Sequence, residues 1–300
     1  MTTTSRRSLL PLKGVRVLSL GLNLPGPAAL LRCQEFGASC VKLEPPPPAG
    51  APAGASADPM ALYQRSAYDA LHEGIRVGWA DLKTEPGQKT LHRELAKADV
   101  LLTSFRPSAL RKLGLGWKTL HQRYPTLSQV AIVGAPGLRA EEPGHDLTYQ
   151  AEHDLVTGLE LPPTLYADMG GALMTSEAVL KAVLLQRAGK SCYLEVALSE
   201  AAGYLALPRS WGLTQSGSAV GGGHAGYRVY PCRDGRVAVA ALEPHFAKAL
   251  CVAAGIDYIS LMTLFTPACH QAIAAYLGSM TRQALDTLAI ENDIPLYTLL

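Results

Sequence analysis

The sequence predicts an α/β protein, a parallel sheet covered by helices and followed by a smaller α+β unit. Three observations carry this reading. Short apolar runs alternate with helix-like stretches from residue 15 to about residue 134, and strands separated by helices argue for a parallel sheet buried on both faces. Past residue 205 the rhythm changes: "GYRVYPCRDGRVAVAALE" holds two alternating stretches around Arg233, Asp234 and Gly235, the composition of a hairpin. A length of 300 residues suits one large domain plus a smaller one. The expected boundaries are 1–205 and 206–300.

Each element has its own justification. "VRVLSLGL" reads as a short buried strand, stopped by a Pro-Gly-Pro break, with "AALLRCQEFG" a helix closed by Gly37. "CVKLE" and "IRVGWADL" are further strands. "TEPGQKTLHRELAKAD" is an amphipathic helix with Leu91, Leu95 and Ala98 on one face. "VLLTSF" is a strand, "SALRKLGLGWKTLHQRY" a helix and "LSQVAIVG" a strand again. Residues 45–59, rich in proline and alanine, read as a flexible or polyproline excursion from the sheet edge, and "QSGSAVGGGHAG" as a mobile loop. The triple glycine at 221–223 is either a substrate-side flap or a plain linker.

Composition excludes several classes of function. The chain is 48% hydrophobic and 17% charged, with a formal net charge of +2; that is a globular chain without the bulk charge nucleic acid demands. Cys33, Cys40, Cys192, Cys232, Cys251 and Cys269 are scattered without a CxxC pair or metal-ligand spacing, as in reduced, buried cysteines of a cytoplasmic protein. The opening has a basic pair but no apolar core of a signal peptide, and "ALMTSEAVLKAVLLQ" is broken by Ser176, Glu177 and Lys181. We expect no membrane span, no metal and a soluble location. No GxGxxG follows the first strand, and neither a P-loop nor a GxSxG elbow is present.

The candidate chemistry rests on three residues. In "EPGHDLTYQAEHD", His145 has the side chain best suited to carry protons at neutral pH. Equally, Asp146 could cap a helix starting at Leu147, with His145 a surface neighbour. In "LYADMGGALM", Asp168 precedes a long helix, where a carboxylate meets the positive helix end and Gly170 and Gly171 permit close substrate approach; a simple helix cap is the competing reading. Glu243 ends an apolar strand before Pro244, either opening onto a site or starting a helix. For an anionic ligand, "SFRPSALRKLGLGW" clusters Arg106, Arg111 and Lys112, with Arg76 and Lys83 nearby; a solvated basic helix face is the alternative.

Several segments together resemble the family III CoA-transferases, which include formyl-CoA and carnitine CoA-transferases and the α-methylacyl-CoA racemases. "LKGVRVLSLGLNLPGPAALL", "FGASCVKLEPP", "DLKTEPGQKTLHRELAKADVLLTSFRPSALRKLGLGW", "PGHDLTYQA", "LYADMGGALM" and "YRVYPCRDGRVAVAALEPHF" follow one another in the family order. The resemblance implies a Rossmann-like large domain, a small α+β domain and an interlocked homodimer. It implies acyl-CoA as substrate, coenzyme A as the group bound and no metal. In the transferases the aspartate matching Asp168 attacks the thioester and carries the acyl group as a mixed anhydride. In the racemases that aspartate and a histidine matching His145 flank the α-carbon, with an acid matching Glu243 paired to the histidine. Lys83, Phe105, Arg106 and Lys112 match positions near the nucleotide portion, and Arg76 is the lone cation left on the approach to the third strand.

The departures are specific. Pro45 stands where the formyl-CoA enzyme has an arginine, and Leu24 where it has an active-site glutamine, which argues against formyl-CoA or oxalate. The interval from His145 to Asp168 is shorter than racemases show. The chain stops at "IPLYTLL", so the family's C-terminal return segment is expected to be missing. The expectation is racemase-like α-proton transfer on a 2-methylacyl-CoA by His145 and Asp168. A CoA-transferase using Asp168 and a non-catalytic CoA-binding relative are the alternatives.

Overall fold

The computed structural model describes residues 9–52 and 54–300. The basic pair of the opening and Ala53 lie outside them. The chain divides into two compact units, Met1–Ala206 and Leu207–Leu300.

The first unit runs β1 (Arg16–Ser19), α1 (Pro25–Glu35), β2 (Ser39–Glu44), α2 (Pro59–Tyr63), α3 (Arg65–Leu71), β3 (Arg76–Trp79), α4 (Glu85–Leu95), β4 (Val100–Thr103), α5 (Pro107–Lys112), α6 (Trp117–Arg123), β5 (Ser128–Val133), α7 (Asp146–Glu152), α8 (Tyr166–Arg187), β6 (Tyr193–Ala197) and α9 (Leu198–Leu205). The strands form one parallel sheet in the order β3-β2-β1-β4-β5-β6. This is the doubly wound order, in which the winding reverses between β1 and β4.

Period-two alternation explains why these runs become central strands. Val17, Val100, Leu102, Val130 and Ile132 point to the face packed by Leu30 and Cys33 of α1 and Val179 and Val183 of α8. Leu18, Leu20 and Leu101 point to the other face, against Leu91 and Leu95 of α4 and Leu110 and Leu120 of the α5–α6 layer. With both faces covered, every residue of β4 and β5 is buried. Each such Leu or Val contributes roughly 1.5–3 kcal/mol by leaving water.

Several local expectations are corrected. The helix expected over residues 108–124 is two helices, α5 and α6, because Gly114 turns the chain in the left-handed region at φ 73°. The proline-rich stretch 45–59 does not leave from an edge: β2 lies inside the sheet, and Asp58 at the end of the stretch is fully buried and caps α2 by accepting from the Met60 N–H at 2.9 Å. The long helix expected after Asp168 already begins at Tyr166, so that Asp168 lies inside it. Strand β6, "YLEVA", carries too many polar residues for a hydrophobic pattern to find, since as an edge strand it is half exposed.

The second unit holds α10 (Leu207–Ser210), β7 (Tyr227–Cys232), β8 (Gly235–Ala240), α11 (Pro244–Ala253), α12 (Pro267–Gly278), α13 (Arg282–Glu291) and β9 (Leu296–Leu299). β7 and β8 form the expected antiparallel hairpin turning at Arg233 and Asp234. The apolar tail "IPLYTLL" supplies β9, which pairs antiparallel with β8. One face of this sheet buries Tyr230, Val237 and Val239 against α11–α13. Residues 215–226 form a folded turn in which glycine is a packing requirement. A Cβ at Gly221 would lie 1.8 Å from the Gln215 carbonyl oxygen, and one at Gly223 2.2 Å from that of Gly217. Among the described residues no helix is long and apolar enough to cross a membrane.

Candidate active site

A cleft of about 740 Å³ opens at the carboxyl ends of the parallel strands of the first unit. Leu22 and Asn23 line it after β1, Ser104, Phe105 and Arg106 after β4, Gly134 after β5 and Leu198 after β6. It therefore sits at the β1/β4 reversal, where doubly wound sheets leave a crevice for ligands.

The chain reaches this crevice by a tight crossing. A Cβ on Gly26 would sit 3.0 Å from the Gly21 Cα, so the segment leaving β1 lies directly on the first turn of α1. Asn23 lies between them in the left-handed region at φ 62°, a conformation asparagine tolerates better than most residues. Its N–H donates to Asp58 Oδ1 at 3.0 Å, and its Oδ1 accepts from the Tyr63 hydroxyl at 3.0 Å.

His145 and Asp168 both line the cleft. His145 is exposed and is itself the cap residue of α7, with its N–H donating to Thr148 Oγ1 at 3.1 Å. Asp146, the cap in the alternative reading, is instead the first helical residue and is buried. Its carboxylate accepts from the Gln150 side chain and from the N–H of Asp168 at 3.0 Å. That bond ties the start of α7 to the start of α8 and sets two acids side by side.

Asp168 lies in the first turn of α8, as its third residue rather than its cap. Its carboxyl accepts no hydrogen bond among the described residues. Burial first, and then the charge of Asp146, push its pKa from 3.8 up to about 7. An acid with that value holds comparable protonated and ionised populations at neutral pH, the condition for moving protons in either direction. Gly170 and Gly171 serve packing rather than substrate approach. A Cβ on the first would meet Leu205 at 2.9 Å, and one on the second would meet Leu198 at 2.2 Å, so their absence lets α9 lie against α8.

Tyr149 forms part of the cleft wall, buried between two glycines: a Cβ at Gly134 would lie 2.1 Å from its hydroxyl oxygen and one at Gly144 2.5 Å away. Asn23, Tyr63, Tyr149 and the support from Asp146 were not found in the sequence. "GLNLPGP" read only as a proline-stiffened turn, although an Asn ahead of Pro-Gly-Pro was a usable sign of a left-handed residue.

The proposed anion contacts do not all gather here. Arg106 lines the cleft, and Phe105 forms a wall shared with a second hollow of about 340 Å³ lined by Lys83, Leu82, Pro45 and Pro46. Lys112 is exposed on the last turn of α5 and lines neither space. Arg76 opens β3 at the opposite, amino end of the sheet and is held by Glu94 at 2.7 Å, so the structure does not bring it to the site. Arg111 is paired to Glu141 at 3.5 Å. Glu243 is exposed in the second unit, where it precedes Pro244 at the start of α11.

Glu44, Asp58 and His72 present ligand atoms within 4.8 Å of one another. The space among them is filled by the Lys42 ammonium, which reaches Asp58, Glu44 (2.8 Å) and the His72 Nε2 (2.9 Å). A lysine in that position takes the place of a cation, and its three N–H donors have three acceptors. Because Nε2 accepts, the imidazole proton sits on Nδ1 and is donated to the Tyr68 carbonyl oxygen at 2.6 Å.

The model of CoA-transferase family III matches residues 12–299, and the chain belongs to that family. Among its relatives is the succinyl-CoA–D-citramalate CoA-transferase of Chloroflexus aurantiacus, 31% identical over 69% of this chain and 53% of the relative. Another is the α-methylacyl-CoA racemase of Mus musculus, 29% identical over 82% of this chain and 65% of the relative. The cinnamoyl-CoA:phenyllactate CoA-transferase of Clostridium sporogenes is 33% identical over 52% of this chain and 40% of the relative. The chain thus spans about half the length of the curated relatives it matches. The fold agrees with the crystal structure of Rv3272 from Mycobacterium tuberculosis, at a TM-score of 0.80 and 24% identity over 97% of this chain and 83% of that one.

Proposed function

We propose that this cleft binds an acyl-CoA thioester and moves the proton on its α-carbon, with Asp168 and His145 as the two acid/base groups. The observation that carries this reading is their shared cleft, in which burial and the charge of Asp146 raise the Asp168 pKa to about 7. In the reaction one group takes the α-proton, electrons flow into the thioester carbonyl, and the other group returns a proton to the opposite face. A 2-methylacyl chain fits the apolar lining given by Leu22, Pro25, Ile132 and Leu198. Arg106, Phe105 and Lys83 are the residues we assign to the nucleotide end, leading from the cleft into the adjoining hollow.

A second reading uses the same Asp168 as a nucleophile: its carboxylate bonds to the acyl carbonyl as the C–S bond breaks and the CoA thiolate leaves. The thiolate is then handed to an acceptor carboxylic acid while the donor acid is released. The cleft-lining carboxyl, which accepts no hydrogen bond among the described residues, and the relatives named CoA-transferases favour it. The two readings separate in one experiment. The protein is incubated with a 2-methylacyl-CoA in heavy water, and α-deuterium is followed by mass spectrometry in wild type, Asp168→Ala and His145→Ala. Exchange that requires both residues supports proton transfer. No exchange, with an acyl group released from Asp168 by hydroxylamine, moves the conclusion to CoA transfer.

A further inference from the structure

We propose that Asn23 reads the acyl group, its side-chain amide donating a hydrogen bond to an acceptor oxygen (hydroxyl or carboxylate) on the acyl chain. This rests on the assignment of the cleft to an acyl-CoA and deepens it by naming the kind of acyl group.

Asn23 is half-buried in the cleft lining, among the apolar Leu22, Pro25 and Pro59 and the polar Tyr63 and Ser104. Its amide oxygen is occupied by the Tyr63 hydroxyl and its backbone N–H by Asp58. Its side-chain nitrogen, which carries two donors, has no hydrogen-bond partner among the described residues. A half-buried amide with two unused donors facing a ligand cleft is available to meet an acceptor on the ligand.

The support beneath it is rigid. Asp58 accepts from Asn23, from Met60 and from Lys42, and Lys42 is in turn held by Glu44 and His72, with all of these groups buried. The left-handed backbone at φ 62° is thus clamped from below by an ion cluster and from the side by Tyr63. A donor fixed before the ligand binds loses little entropy on binding. A glycine would satisfy the backbone alone, so the asparagine side chain is surplus to the turn.

The test is calorimetric and independent of turnover. Wild type, Asn23→Gly and Tyr63→Phe are titrated with 2-methylbutanoyl-CoA, its 3-hydroxy derivative and methylmalonyl-CoA. Glycine keeps the positive φ and the N–H to Asp58, so the fold is not put at risk. For wild type we expect one oxygen-bearing ester to bind roughly tenfold tighter than the apolar one, about the worth of one hydrogen bond. Which of the two is preferred tells hydroxyl from carboxylate. In Asn23→Gly that ratio falls to about one, with the apolar ester bound as before. In Tyr63→Phe, where the amide is released on one side, the ratio is reduced but not abolished. Equal binding of all three esters by wild type, or a preference that survives Asn23→Gly, overturns the proposal. Failure of every ester to bind overturns it together with the acyl-CoA reading. Loss of α-deuterium exchange with the preference intact strikes the proton-transfer reading alone.

Discussion

The carboxylate of Asp146 accepts a hydrogen bond from the backbone N–H of Asp168 at 3.0 Å, joining two helix starts that lie 22 residues apart in the chain. This contact places a second acid beside the candidate catalytic one. Its charge acts against ionisation of Asp168, while its oxygen fixes the turn on which Asp168 stands.

Asp146→Asn separates these two roles. The replacement oxygen can still accept from the Asp168 N–H, and the Gln150 side chain, whose Oε1 is buried without a partner, can turn to meet the new amide. The Asp168 pKa should fall below its present value of about 7 but stay above 3.8, because burial is the larger cause. Carbon NMR titration of the Asp168 carboxyl checks this. An unchanged midpoint would show that Asp146 acts only through geometry.

The same group ties stability to pH in a definite direction. The folded chain keeps the Asp168 proton up to about pH 7, whereas the unfolded chain releases it near 3.8. The native state therefore binds more protons between these values, and this residue's contribution to stability falls as pH rises through that window. Asp168→Asn should be more stable than wild type at pH 8 and nearly equal to it at about pH 4. Urea midpoints at the two pH values decide the matter.

Tyr149 and Gly134 form a steric pair open to a double-mutant cycle. Gly134→Ala would set a methyl 2.1 Å from the phenolic oxygen and should cost about 1–3 kcal/mol through overpacking. Adding Tyr149→Phe removes the clashing atom and should recover part of the loss, since the ring carbon at 3.1 Å stays in place. Chemical denaturation of the four proteins measures the coupling. Additive losses would mean the wall relaxes in some other way.

Lys42→Met tests the ion cluster. Removing the ammonium leaves Glu44 and Asp58 buried and uncompensated, which should cost about 3–5 kcal/mol. A loss below about 1 kcal/mol, read from the urea transition, would show that water enters and solvates the acids.

The parallel sheet was legible because central strands bury both faces, and runs such as "VLLTSF" and "LSQVAIVG" have no other stable use. The hairpin at Arg233 and Asp234 was legible for the complementary reason, that its turn chemistry is local. Asp168 and His145 stood out in their local motifs, but each alone reads better as part of a helix start, and it was the resemblance that favoured a catalytic role. What stayed hidden was tertiary. Nothing near Asp146 in sequence indicates that its carboxylate serves Asp168, and nothing near Asn23 indicates that Asp58, 35 residues on, will hold its N–H. The pair Gly170 and Gly171 misled because a glycine that admits a neighbouring helix looks the same in sequence as one that admits a substrate.

The Pro-Gly-Pro start of α1 changes what the fold can offer a nucleotide. Doubly wound proteins commonly seat a pyrophosphate on the free amides of this first helix. Here two of its first three residues are prolines without N–H groups, and Gly26 is pressed against Gly21, so that seat is closed. In the proposed assignment the phosphates meet the solvent-facing cations of Arg106 and Lys83 instead. Exposed cations of this kind are screened within about 8 Å in physiological salt. Affinity for the nucleotide end should accordingly decline as salt rises, leaving the acyl end as the more constant determinant of what the cleft accepts.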